Sequence, residues 1–291
     1  VNVTGPIPHF RSLDQLSLPG SRVNEDGIGL RGPFAWVIDG ATGLSDEQLT
    51  SGGSDAAWLA GQVGERLMDL AGQGGADTVL RRLETGIDAD FREVSAHVQA
   101  IDDHHAPSAC LGLMEARVVE GGQIEVFGRF LGDVIALVPS EKGLVRWSDE
   151  RAKPFEKKTL AALEAREHAP GSIPVGVRRQ ILENRTKLNR PDGYWVVNPL
   201  RPWAGRELRF AAQVEAGAPI VLATDGFMRL VDVFGAYSDS ILHARLAAGK
   251  GADLMEELRE RERSDSMAGA FPRVKTHDDA TFLVIAAEPD D

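Results

Sequence analysis

The chain of 291 residues holds a single cysteine, Cys110. It can therefore form no internal disulfide and no cysteine-based zinc site. A lone thiol fits a reducing cytoplasm. Cys110 lies in the apolar, strand-like run SACLGLMEARVV (108–119), which reads as the setting of a core cysteine rather than a catalytic thiol. Basic residues are also in short supply: 32 Lys and Arg against 44 Asp and Glu leave a net charge of −12. Nucleic acid and anionic membranes attract clustered Lys and Arg, so neither is an expected partner. No apolar run approaches the length that crosses a bilayer. The opening VNVTGPIPHFRSL (1–13) lacks the basic stretch and apolar core of a secretory signal, so a cytoplasmic protein is expected.

With 43% apolar and 26% charged residues, the composition is that of a soluble globular protein, long enough to bury a large core. Residues 7–38 read as strands broken by Gly20, Gly27, Gly29 and Gly32. Ser54 is a candidate N-cap, and Trp58, Val63, Leu67 and Leu70 form the stripe of a first helix. Val79, Leu83, Ile87, Phe91, Val94 and Val98 predict a second helix over 76–100. The pattern then turns to β. Strands over 108–119 and 123–130 meet at Glu120-Gly121-Gly122, and a strand over 133–138 precedes a hairpin over 139–147. Residues 150–205 are Pro-rich and irregular, with short helices expected near 155–167 and 175–189. An insertion of this kind reads as a lid or a variable surface element. Strands over 207–214 and 219–224, helices near 238–248 and 250–263, and a last strand over 280–287 complete the chain. Strands come from both ends, with helix pairs between them. That order predicts an α+β fold of antiparallel sheets covered by helices, rather than βαβ alternation.

Carboxylates recur where apolar strands meet small residues. Glu25 and Asp26 stand in RVNEDG (22–27), Asp39 in WVIDG (36–40), Asp133 in FLGDVIALV (130–138), Asp225 in LATDG (222–226), and Asp278 and Asp279 in THDDATFLVI (276–285). One Asp-Gly unit is an ordinary turn; a series of them invites a common explanation. Antiparallel sheets can bring such strand ends together, where like charges would repel and push some pKa values up. A divalent cation removes the conflict, and an all-oxygen site suits Mg²⁺ or Mn²⁺. Gly40 would let the backbone approach a metal and offer its carbonyl oxygen.

The ordered series R-x-N-E-D, V-I-D-G, L-G-D-V, L-A-T-D-G-F and D-D-A-T-x-L-V, from about residue 20 to residue 286, resembles the metal-dependent, type 2C Ser/Thr protein phosphatases. Their compact bacterial members are the nearer likeness. The resemblance implies a single domain over 1–291, a four-layer αββα sandwich of two antiparallel sheets flanked by helix pairs, with 150–205 as a flap-like insertion. It also implies two Mg²⁺ or Mn²⁺ ions and a weaker third. Asp39 would bridge the two ions, Glu25 and the Gly40 carbonyl would hold one, and Asp225 and Asp278 the other. Asp133 would serve the third. Asp26 would orient the attacking water, and Arg22 would clamp the substrate phosphate. Two metals lower the pKa of a bridging water, which attacks phosphorus in line, and the metals and an Arg stabilise the phosphoryl oxygens.

This chain departs from the pattern at several positions. Arg22 stands one residue closer to Asp26 than is usual in the family, which makes Arg11 a fallback phosphate ligand. Ala41 replaces the His that would act as general acid, so water at the metal would protonate the leaving group and Thr42 could only orient water. Arg229 stands where relatives often carry an acid, which weakens the third site. Asp279 replaces a common Asn. His104 and His105 read as a solvated loop rather than a metal pair. Trp195 and Trp203 read as anchors packing the insertion onto the sandwich. The expected activity is phosphatase action on phosphoserine and phosphothreonine in proteins. A phosphatase of small phosphorylated metabolites and a silent phosphatase-fold binding module are the alternatives.

Overall fold

A computed structural model describes residues 8–41, 48–98, 101–102, 104–119, 122–163 and 174–289. Among the described residues, ten strands form two antiparallel sheets of five. The first has the order β1 (His9–Leu18), β10 (Ala280–Glu288), β9 (Ile220–Ala223), β6 (Ile135–Ser140) and β7 (Gly143–Trp147). The second runs β2 (Asp26–Arg31), β3 (Phe34–Ala41), β4 (Ser108–Val118), β5 (Ile124–Leu131) and β8 (Leu208–Val214). The chain's first and last strands are paired, from His9 opposite Glu288 to Leu18 opposite Ala280.

Strand alternation makes the layers. In β3, Phe34, Trp36 and Ile38 face α1 (Asp55–Leu70) and α2 (Ala76–Val94), while Ala35 and Val37 face the other sheet. In β10, Leu283, Ile285 and Ala287 face inward. Phe282 and Val284 face α5 (Asp225–Asp232), α6 (Asp239–Ala247) and α7 (Gly251–Ser264). Both faces of each sheet are thus apolar, and the expected αββα sandwich is the observed one. Ser54 does cap α1, its Oγ accepting from the Ala57 N–H at 3.1 Å.

Two elements differ from the sequence reading. Helix α2 ends at Val94, and Val98 falls in the following turn. There Ser95 bonds back to the Phe91 carbonyl through its Oγ at 2.6 Å. Helix α5 was not expected: eight residues are too short for a clear period, and Asp225-Gly226 reads as a turn. The hairpin joining β4 and β5 forms, with Val118 opposite Ile124, although Glu120 and Gly121 at its tip lie outside the described residues.

The insertion contributes a 3-10 turn at Glu150–Ala152, α3 (Lys153–Ala161) and α4 (Val175–Arg185). The expected extension of the first of these helices toward residue 167 runs into 164–173, outside the described residues. The far end of the insertion is bolted to the sandwich. Val197 forms a two-bond bridge with Ala109 of β4 at 2.8 and 3.0 Å. Trp203 is fully buried in the core between α1, α2 and the second sheet, with Trp195 packed at its edge. The Glu84 carboxylate of α2 accepts the backbone N–H groups of Trp203 and Ala204. Trp203→Ala is expected to destabilise the fold by about 3–5 kcal/mol in denaturant unfolding, the usual effect of emptying a buried aromatic site.

Candidate active site

The apolar filling between the sheets gives way to polar groups at one end. Asp39 follows Ile38 and shares the inward parity of Ala35 and Val37, so β3 delivers its carboxylate into the inter-sheet space. Asp26 pairs directly with Asp39 across β2 and β3. From the facing sheet, Thr224 Oγ1 donates to Asp26 Oδ2 at 2.9 Å, and Thr224 is fully buried. Asp225 follows at the head of α5, exposed at the rim of the cluster but with its carboxyl beside Asp39. Gly226 must lack a side chain, since a Cβ would lie 1.9 Å from the Asp279 carbonyl oxygen. That contact presses α5 against the segment entering β10. Asp133 lies in the turn between β5 and β6, beside Cys110.

The predicted carboxylates therefore converge, and their electrostatics show it. Burial pushes Asp26 up to about 8, against hydrogen bonds from Thr281 and Thr224 and with help from Asp279 and Asp225. Burial, then Asp26, Asp225, Asp133 and Asp278, push Asp39 well above the usual carboxylate range. Asp225 rises to about 7 through desolvation and its neighbours Asp133 and Asp278, despite Arg229 and a hydrogen bond with Asp39. Desolvation and a hydrogen bond with Asp133 take Glu156 of α3 to about 9. Asp39 thus neighbours Asp225, and Asp133 neighbours Glu156. A hard cation suits that same oxygen-only pairing, so the residues present fit Mg²⁺ or Mn²⁺. Asp278 behaves differently. Burial opposes its charge, but Arg229 and Lys275 outweigh it and hold the carboxyl below its ordinary value.

Glu25 is buried on the α1 side, where its Oε1 accepts from Ser54 Oγ at 2.6 Å. Its carbonyl accepts the Gly40 N–H at 3.0 Å, and a Cβ on Gly40 would sit 2.6 Å from that oxygen. Asp279 acts as a clasp: its two oxygens accept the N–H groups of Gly20 and Glu25, each at 2.7 Å. Arg22 lies exposed in the bend between β1 and β2. Arg11 is no fallback, because it lies on β1 away from the carboxylates and pairs with Glu288 at 2.7 Å. Thr42 is outside the described residues. Asp102, His104 and His105 each bring one possible ligand atom within 4.8 Å of the others in the loop before β4. Cys110 is half-buried rather than sealed in the core, and desolvation with Asp133 and Asp39 pushes its thiol up. That direction disfavours a thiolate nucleophile.

Four neighbours of the cluster escaped the sequence reading: Glu156, Arg185, Tyr194 and Lys275. Three belong to the insertion. Arg185 of α4 is buried and reaches the carbonyls of Ala41 at 3.3 Å and His104 at 3.4 Å. Tyr194 is pushed up by burial, with Cys110 and Asp133 adding to the effect. No strand–Asp-Gly pattern surrounds these residues. The only signal was the concentration of charge and aromatics within 150–205.

The sandwich has counterparts among solved structures. The catalytic domain of the serine/threonine protein phosphatase PstP, in complex with two manganese ions, matches over 97% of this chain and 99% of its own at 15% identity and TM-score 0.53. A bacterial serine phosphatase matches over 97% and 100%, at 14% identity and TM-score 0.55. Stp1 from Staphylococcus aureus matches over 97% and 95%, at 14% identity and TM-score 0.52. This chain has the fold of the bacterial Ser/Thr phosphatases. No protein-family model and no curated protein matches its sequence.

Asp26, Asp39 and Asp225 hold protons more tightly folded than unfolded, where carboxyls titrate near about 4. Their contribution to stability is full below that value and is lost as pH rises through about 7 for Asp225 and about 8 for Asp26. Asp278 has the opposite sign, but its effect falls at lower pH. In chelator, Tm is expected to fall between about pH 5 and about pH 8, and Asp39→Asn should flatten that fall. Thermal unfolding across this range checks it.

Proposed function

We infer that the chain is a Mg²⁺- or Mn²⁺-dependent phosphatase acting on phosphoserine and phosphothreonine in proteins, a member of the type 2C family. One observation carries the reading: Asp26, Asp39, Asp133 and Asp225 converge without a Lys or Arg in ion-pair contact among the described residues. That convergence lies at one end of a sandwich shared with phosphatases, one of which holds two manganese ions. Asp39, Asp133 and Asp225 would hold a divalent cation, with Glu25 and the Gly40 carbonyl on the α1 side. Bound there, the cation would supply an activated water and stabilise charge on the phosphoryl oxygens.

The protein groups have separate tasks. Asp26, held by Thr224, orients water from the inter-sheet side. Arg22, exposed in its bend, is free to close on a substrate phosphate with its bidentate fork. Asp279 fixes the height of Glu25 through the backbone. Ala41 offers no proton, so the serine or threonine leaving group takes its proton from solvent. The insertion brings Glu156 and Tyr194 to the Asp133 side.

Hydrolysis of an aryl phosphate is expected to require added Mn²⁺ or Mg²⁺. Asp39→Asn and Asp225→Asn should each lower kcat/KM by about 100-fold or more. Arg22→Ala should act mainly on KM. Full activity in excess chelator would overturn the reading. A panel of phosphopeptides and phosphorylated metabolites then decides whether protein or small-molecule esters are preferred.

A further inference from the structure

Asp278 is the one carboxylate of the cluster already matched by charge. Arg229 Nη2 donates to its Oδ2 at 2.7 Å, and Lys275 Nζ to its Oδ1 at 3.2 Å. Both oxygens thus carry a protein cation, whereas Asp39, Asp133 and Asp225 carry none among the described residues.

Arg229 is built into this position. It stands one helical turn after Asp225 on α5, so the two side chains share a face. Its other nitrogen, Nη1, donates to Glu262 Oε1 at 2.8 Å. Glu262 is fully buried in α7 and is also bound by Arg259 at 2.7 Å and His277 at 2.8 Å. Moving Arg229 away would strand the Glu262 charge in the core. Lys275 is the more exposed partner, with 38% of its side chain exposed against 9% for Arg229. It projects from the segment between α7 and β10, which is anchored by buried Arg273 on Asp265 at 2.7 Å.

A divalent ion sharing Asp278 would approach a guanidinium that cannot withdraw, and like charges repel. The two protein cations together carry the charge of one such ion. We propose that Arg229 and Lys275 replace a divalent cation at the Asp278 side of the centre, so that the protein binds one ion tightly, on Asp39, Asp133 and Asp225, rather than two. This rests on the metal-dependent reading above. Lys275 then remains on Asp278 as a positive charge where a second ion would otherwise stand.

The test counts ions instead of turnover. Chelator-stripped protein is titrated with Mn²⁺ by equilibrium dialysis, and bound Mn²⁺ is followed by electron paramagnetic resonance. Wild type should take one tight Mn²⁺ per chain, with the spectrum of an isolated ion. Lys275→Met should tighten a second site at least tenfold. The Arg229→Met, Glu262→Gln pair, which removes the arginine without leaving Glu262 charged, should do the same and produce a spin-coupled Mn²⁺ pair. Two equally tight ions in wild type overturn the proposal while leaving the metal-dependent reading intact. One ion in wild type and still one in folded variants also overturns it, because the cations are then not what excludes the second. No bound Mn²⁺ in wild type removes both readings.

Discussion

The mutual repulsion of carboxylates at the open end of a hydrophobic sandwich is the constraint around which the molecule is organised. Asp26, Asp39, Asp133, Asp225 and Asp278 are held there by strands and helix starts whose packing is apolar on both faces of each sheet. Burial makes the charges of Asp26, Asp39 and Asp225 unfavourable, and proximity makes them more so. Two local solutions coexist. Around Asp278 the protein supplies its own cations, of which Arg229 is pinned by buried Glu262. Around Asp39, Asp133 and Asp225 the carboxyl groups face one another, a conflict that a hard cation relieves.

The supporting contacts keep these side chains from relaxing apart. Asp279 ties the entry to β10 to the backbone at Gly20 and Glu25, and so joins the two halves of the cluster across the sandwich. Thr224 bridges β9 to Asp26 of the opposite sheet. Gly226 admits the Asp279 carbonyl where a side chain would collide. The insertion is equally committed: Trp203 is core, Arg185 holds the end of β3, and Glu156 meets Asp133.

Much of this was legible in the chain itself. Alternation and stripes located nearly every strand and long helix, because those patterns record which face meets apolar neighbours. The ordered Asp-containing motifs pointed to one cluster, and Asp26, Asp39, Asp133, Asp225 and Asp278 do meet. Helix α5 was not legible: it starts two residues after β9 with no intervening loop and is eight residues long. Glu156, Lys275, Arg185 and Tyr194 carried no recurring pattern, and their place beside the carboxylates depends on how distant segments fold over.

The sequence alone determined the alternating faces, the helix stripe and the parity that turns Asp39 inward, because these follow from local backbone periodicity. Tertiary structure alone decided which charges would be answered by protein. Arg229 reads locally as a basic residue on a short helix. Its hold on Asp278 and Glu262 arises because α5, α7 and the entry to β10 meet in one buried place, with separations of 49 and 33 residues along the chain. Charge compensation is a property of three-dimensional proximity in a low-dielectric interior, and no local pattern encodes it.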